Sequence, residues 1–128
     1  MATTFTNRES DVIKWAASPT REFEIDQVTV LVDSNTEIGT VVYNNSGTWT
    51  RVNAANVTNA AGIVVDDRLR FGVDEVGGAG NQTLSVLRRN AVAGRTVLEY
   101  AADVNSSTLT DQAEAALLTQ GIKVVNGA

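Results

Sequence analysis

Thr83-Leu84-Ser85-Val86-Leu87-Arg88-Arg89-Asn90-Ala91-Val92-Ala93-Gly94-Arg95-Thr96-Val97-Leu98-Glu99-Tyr100 is the longest run of the chain with strand character. Leu84 and Val86 alternate with Thr83 and Ser85, the period-two pattern of a half-buried pleated surface. Val92 and Val97-Leu98 add β-branched and apolar weight. Gly94 interrupts the run and predicts a bulge, a bend or a hairpin tip. The stretch is expected to be the central sheet element. Shorter strands are expected before it, and one helix and a last strand after it.

Upstream, residues 21–32 read as a strand, with Val28, Val30 and Val32 on one face and Thr29 and Leu31 on the other. Asp33-Ser34-Asn35-Thr36 has turn composition. Residues 38–43 are the next expected strand. Asn44-Asn45-Ser46-Gly47 predicts a hairpin turn, because Asn and Gly tolerate positive φ. Residues 48–52 are its expected partner, with Trp49 as the large packing side chain. Residues 53–58 are looser, and residues 59–65 lead into a buried strand ended by Asp66-Asp67-Arg68. Residues 69–76 read as an irregular strand and residues 77–81 as an exposed, flexible loop.

Downstream, Thr110 is the expected cap of a helix over residues 111–120, with Asp111 and Glu114 suited to its positive N-terminal end. Ala113, Ala116 and Leu117 form an apolar stripe that Leu118 widens. Gly121 suits the left-handed position after the helix, and Ile122-Lys123-Val124-Val125 a closing strand. The fold class that follows is mainly β, a β-rich α+β arrangement. It is a small β-barrel or sandwich-like domain with one C-terminal helix and an extended N-terminal arm.

A length of 128 residues predicts one domain, and that size buries roughly two thirds of the surface of its unfolded chain. The chain has no Cys, which excludes disulfides, thiolate metal sites and Cys nucleophiles. It has no His, the commonest general base and metal ligand. The net charge of −5 argues against nucleic acid as a partner. No apolar run approaches the roughly 18 residues needed to cross a bilayer. The N-terminal residues carry Arg8, Glu9 and Asp11 without an apolar core, so no signal peptide is expected.

The only Pro, Pro19, sits between a polar N-terminal stretch and the first good strand. It sets an expected boundary between an arm, residues 1–19, and a β-rich domain, residues 20–128. Terminal residues usually fray. Val12, Ile13 and Trp15 within four positions instead suit an arm that docks on something.

Candidate chemistry is sparse. Asp66 and Asp67, with Asp74 and Glu75 nearby, are carboxylates suited to a hard cation, but without EF-hand spacing they read as a solvated strand end. An enzyme built on Asp66 and Asp74 has nothing in the sequence to fix their separation. Gly77–Gly80 lacks the Gly-Lys-Ser/Thr ending of a phosphate loop. Lys14 and Lys123 carry no Ser-Lys motif, and Asn56-Val57-Thr58 is a chance sequon in a chain rich in Asn and Thr. Arg88, Arg89 and Arg95 form a basic cluster in an acidic chain, either a subunit interface or ordinary surface pairs. No enzymatic activity, cofactor or metal is expected.

The order of the pieces resembles the tailed-bacteriophage head decoration proteins related to the lambda decoration protein. Ser10-Asp11-Val12-Ile13-Lys14 is like the arm segment of longer members, and Arg21-Glu22 leads into the Val28-to-Val30 strand. Gly39-Thr40-Val41-Val42, Ser46-Gly47 and Trp49 are like the family's Gly-Thr-Val strand and hairpin. Ala61-Gly62-Ile63-Val64 is like its small-residue-then-Ile strand. Leu117-Leu118 with Gln120-Gly121-Ile122-Lys123-Val124 is like its closing helix-Gly-Ile-Val ending. Residues 69–81 have no counterpart in that order. The resemblance implies a structural virion protein, assembled in the host cytoplasm, that cements the outer surface of the expanded head. It implies a homotrimer bound to the major capsid protein, with Asp11, Val12, Ile13, Lys14 and Trp15 as capsid-binding residues that add a strand to a capsid sheet edge. It implies no membrane and no nucleic-acid partner. The alternative is a surface module that displays loops such as residues 76–82 to a host glycan or receptor. Aromatic residues, which stack on sugars, make up only 5% of the chain.

Overall fold

The computed structural model describes residues 12–16 and 24–126. Among them the strands are β1 (Ile13–Ala16), β2 (Ile25–Val32), β3 (Val41–Asn45), β4 (Thr48–Arg51), β5 (Gly62–Val64), β6 (Gly80–Leu87), β7 (Ala91–Gly94) and β8 (Ile122–Val125). An α-helix, α1 (Ser107–Thr119), precedes β8. The chain is mainly β, with five strands closed into a barrel and a second, three-stranded sheet beside it.

The barrel order is β2-β4-β3-β5-β6. β2 and β6 pair antiparallel along their whole length, from Ile25 opposite Leu87 to Val32 opposite Gly80. The expected alternation holds: Val30 and Val32 are buried, while Thr29 and Leu31 are exposed. β3 and β4 form the expected hairpin across Ser46 and Gly47, whose φ values of 54° and 98° give the positive-φ pair that a two-residue turn uses. A single parallel pair, Val30 with Trp49, joins β2 to β4 and closes the ring. The second sheet has the order β1-β7-β8, with β1 antiparallel and β8 parallel to β7.

The 83–100 stretch is therefore central twice, but it is not one strand. β6 lies between β5 and β2 in the barrel, and β7 lies between β1 and β8 in the sheet. Arg88-Arg89-Asn90 makes the turn from one to the other, with Asn90 at φ 53°. Gly94 ends β7 and opens a 3-10 turn at Arg95–Val97.

α1 starts a full turn earlier than its sequence suggests. Ser106 Oγ accepts from Leu109 N–H at 3.3 Å and is the cap. Thr110 lies inside the helix, its hydroxyl donating back to Ser106 O and Ser107 O. Ala113 and Leu117 are buried, as the stripe predicts, but Leu118 faces solvent, so it does not widen the buried face. Gly121, at φ 88°, is the left-handed residue that turns the chain into β8.

Residues 69–76 are not a strand. They form two 3-10 turns, Asp67–Phe71 and Val73–Val76, separated by Gly72 at φ 109°. The loop expected at 77–81 is shortened, because Gly80 and Asn81 already pair with Val32 and Leu31.

Candidate interaction surfaces

β1 places the arm residues. Val12 and Ile13 are 0% and 2% exposed and belong to the core, so they anchor residues 12–16 on the domain itself. Ile13 opposes Ala93, Trp15 opposes Val92 and Ala16 opposes Ala91, with an irregularity between Ile13 and Trp15. Lys14 is exposed, and Trp15 stands 57% exposed. A boundary after residue 19 thus separates a strand from the domain whose core it completes. Asp11 and the boundary itself lie outside the described residues. Among these residues β1 is an edge strand, pairing only with β7.

The three arginines do not form one cluster. Arg88 Nη1 donates to Asp26 at 3.0 Å and Arg89 Nη2 to the same oxygen at 2.7 Å. Arg88 also lies 4.7 Å from the centroid of the buried Trp49 ring. Hydrogen bonding from Arg89 is the largest influence on the Asp26 carboxyl; burial opposes it, and the Arg89 charge together with the hydrogen bond and charge of Arg88 tips the balance, so the pKa lies below its ordinary value. Arg95 sits elsewhere, donating to Glu114 at 2.7 and 2.8 Å and to Asn126, which ties the chain after β7 to α1 and β8.

The acidic candidates are also engaged. Asp66 is 5% exposed and accepts four hydrogen bonds, from Arg68 N, Nε and Nη2 and from Ser85 N. Burial pushes its pKa up, and those four donors outweigh burial and hold it low. Its acceptor capacity is filled. Among the described residues no group of three or more carboxylates is arranged to hold a metal. The Gly77–Gly78 carbonyls accept from the Gln82 amide.

A feature that sequence reading missed is a cleft of about 420 Å³ lined by Thr36, Glu37, Arg51, Glu99, Tyr100 and neighbouring residues. Burial first, then the neighbouring Glu37 side chain, push the Glu99 pKa up. Arg51 on the same wall donates to Asp33 at 3.1 and 3.0 Å. Burial drives the Tyr100 phenol up to about 12. Glu37 and Glu99 lie far apart in sequence, and no local signal joins them.

No protein-family model matches the chain, and no curated protein matches it significantly. Among the described residues no helix is long and apolar enough to cross a membrane.

Proposed function

We propose that this chain is a capsid decoration protein, a homotrimeric cement on the outer surface of an expanded phage head that ties neighbouring major capsid subunits together against internal DNA pressure. The observation that carries the reading is Trp15. It is a large apolar side chain exposed on an edge strand that Val12 and Ile13 anchor in the domain. An edge strand offers backbone donors and acceptors, and an adjacent aromatic fills a partner pocket, the two components of strand-addition recognition. Several such contacts per trimer add through effective concentration, so each can be weak. The ordered pieces from Ser10 to Val125 described above support the same reading, and an acidic exterior suits a protein with no contact to DNA.

Sedimentation with undecorated expanded heads tests this. Wild-type protein is expected to pellet saturably, and Trp15→Ala to weaken attachment about tenfold or more, as for an aromatic anchor at the centre of an interface. Failure of the wild type to pellet overturns the reading. A point variant is the right tool, because removing residues 1–19 also removes Val12 and Ile13 from the core.

The second reading, a virion surface module for a host glycan, has one observation in its favour. Phe71 is 72% exposed on a 3-10 turn, with the Arg70 guanidinium 5.3 Å from its ring centroid. Binding on a glycan array that Phe71→Ala abolishes would favour it over cementing.

A further inference from the structure

The outer surface of the barrel is uncharged across three neighbouring strands. β2 runs between β4 and β6, and the alternation that buries Val30 and Val32 turns Thr29 and Leu31 outwards. Across the β2–β6 ladder Thr29 stands opposite Thr83, and Leu31 opposite Asn81. All four are exposed, Leu31 at 47%. On the other flank Val30 pairs with the buried Trp49, so Thr48 and Thr50 face outwards from β4. None of these outward positions is charged, in a chain that is 20% charged. The charged residues that the three strands do carry, Asp26 and Arg51, fall on the alternate register and are paired, with Arg88 and Arg89 and with Asp33. Arg68, which reaches Thr83 O from the side, is neutralised by Asp66.

We propose that this face is the contact between copies of the chain: three copies meet around β2, Leu31 nearest the axis, with the β4 side of one against the β6 side of the next. It rests on the trimer proposed above and names the surface that makes it. Each copy carries a net charge of −5, so identical copies repel, and close contact is least opposed where neither surface presents a carboxylate. Interface centres are depleted of charge and rimmed by polar groups, the arrangement that this face and its paired margins have. Hydroxyls and amides both donate and accept, so Thr and Asn on one copy can satisfy Thr and Asn on the next. The curvature favours three copies over two. Five strands closed into a barrel turn the surface by about 70° from strand to strand, so the β4–β2 and β2–β6 facets differ in direction by about that much. Three copies about an axis need two facets about 60° apart, whereas a twofold pair needs one flat facet.

Sedimentation equilibrium of the free protein tests this with Leu31→Lys, Thr83→Lys and, on α1, Leu118→Lys. The wild type is expected to assemble reversibly to a trimer, more tightly as salt screens the repulsion between copies. Either face variant is expected to weaken assembly about a hundredfold or more, and Leu118→Lys to leave it within about threefold of wild type. All three bring the net charge closer to zero and replace exposed side chains, so a loss confined to the face variants reports contact there and not general repulsion. A wild type that stays monomeric at every concentration overturns the proposal, and so does assembly of both face variants at wild-type strength. Circular dichroism shows whether each variant is folded, and if one is not, the other decides. Sedimentation with heads keeps this proposal apart from the cementing role. A trimer that Leu31→Lys breaks but that never pellets with heads leaves the interface standing and removes cementing. A wild type that pellets with heads but never trimerises does the reverse.

Discussion

A methyl group at Gly62 would sit 2.6 Å from Val86 Cγ1, 3.1 Å from Leu87 O and 3.3 Å from the Trp49 ring. Leu87 O belongs to the barrel backbone, and the Trp49 ring is backed by the Arg88 guanidinium. Neither can withdraw cheaply. Gly62→Ala is therefore expected to destabilise by about 1–3 kcal/mol, the usual range for overpacking a filled core, seen as a lower urea midpoint with an unchanged slope. A midpoint equal to that of wild type would mean that the barrel yields at this point. Asp66 supports an opposite kind of test, by deletion. Truncating it leaves the Ser85 N–H and the Arg68 donors without their acceptor, so Asp66→Ala is expected to cost about 1–3 kcal/mol. Asp66→Asn, which retains one acceptor oxygen, should cost less in the same urea titration. An Asp at the end of a strand and the start of a turn is legible in sequence as a cap. Its bond to Ser85 is not, because only the β5–β6 pairing brings the two together.

β1 divides its residues between two duties, and substitutions should separate them. Ile13→Ala opens a cavity in the core and is expected to cost about 2–5 kcal/mol. Trp15→Ala removes a mostly exposed side chain and should lie within about 0.5 kcal/mol of wild type. Urea unfolding followed by far-ultraviolet circular dichroism measures both, and equal losses would contradict this division. Whether β1 stays on β7 during the proposed capsid attachment can be tested directly. Ala16 and Ala91 are register partners in a chain without native Cys, so Ala16→Cys with Ala91→Cys gives a single designed bridge. The oxidised protein is expected to bind heads as well as the reduced one, since Trp15 and the outer edge of β1 are untouched. Binding seen only after reduction would mean that β1 must leave. What was legible at this scale was local. The alternating faces of β2 and the Ser46-Gly47 hairpin follow from adjacent residues. The start of α1 was missed because Ser106, Ser107, Thr108 and Thr110 are all competent caps, and only packing selects among them. The 3-10 turns at 67–76 were missed because Val73 and Val76 look strand-like, whereas Asp66 as a cap and Gly72 at positive φ impose tight turns. The partner of β1 was not legible either, since a four-residue strand carries too little pattern to name a neighbour most of the chain away.

At the scale of the whole molecule, opposing carboxyl shifts set how stability depends on pH. Asp26 and Asp66 are held below the ordinary carboxylate range by their arginine and backbone donors. Asp33 is held there too, because Arg51, Asn35 and Thr36 outweigh the effect of burial. The folded state therefore binds fewer protons at these three groups than the unfolded chain does. Their contribution is present above an ordinary pKa of about 4 and is lost as pH falls through the lowered folded values. Glu99 runs the other way. Its folded pKa is raised, so its contribution is present at acid pH and is lost as pH rises from about 4.3 through the folded value. The two limbs together predict a melting temperature with a maximum between them and a decline towards both sides. The acid limb should weaken in salt, because the Asp26 pairs are partly exposed. Thermal melts from pH 3 to pH 9 at fixed ionic strength are expected to show both limbs in the wild type. Glu99→Gln should retain the acid limb and lose the upper one. A wild-type melting temperature that rises steadily through pH 8 would show that the raised Glu99 pKa does not weaken the fold as the group ionises, and residues 99 and 40 would then be held by their backbone bridge alone.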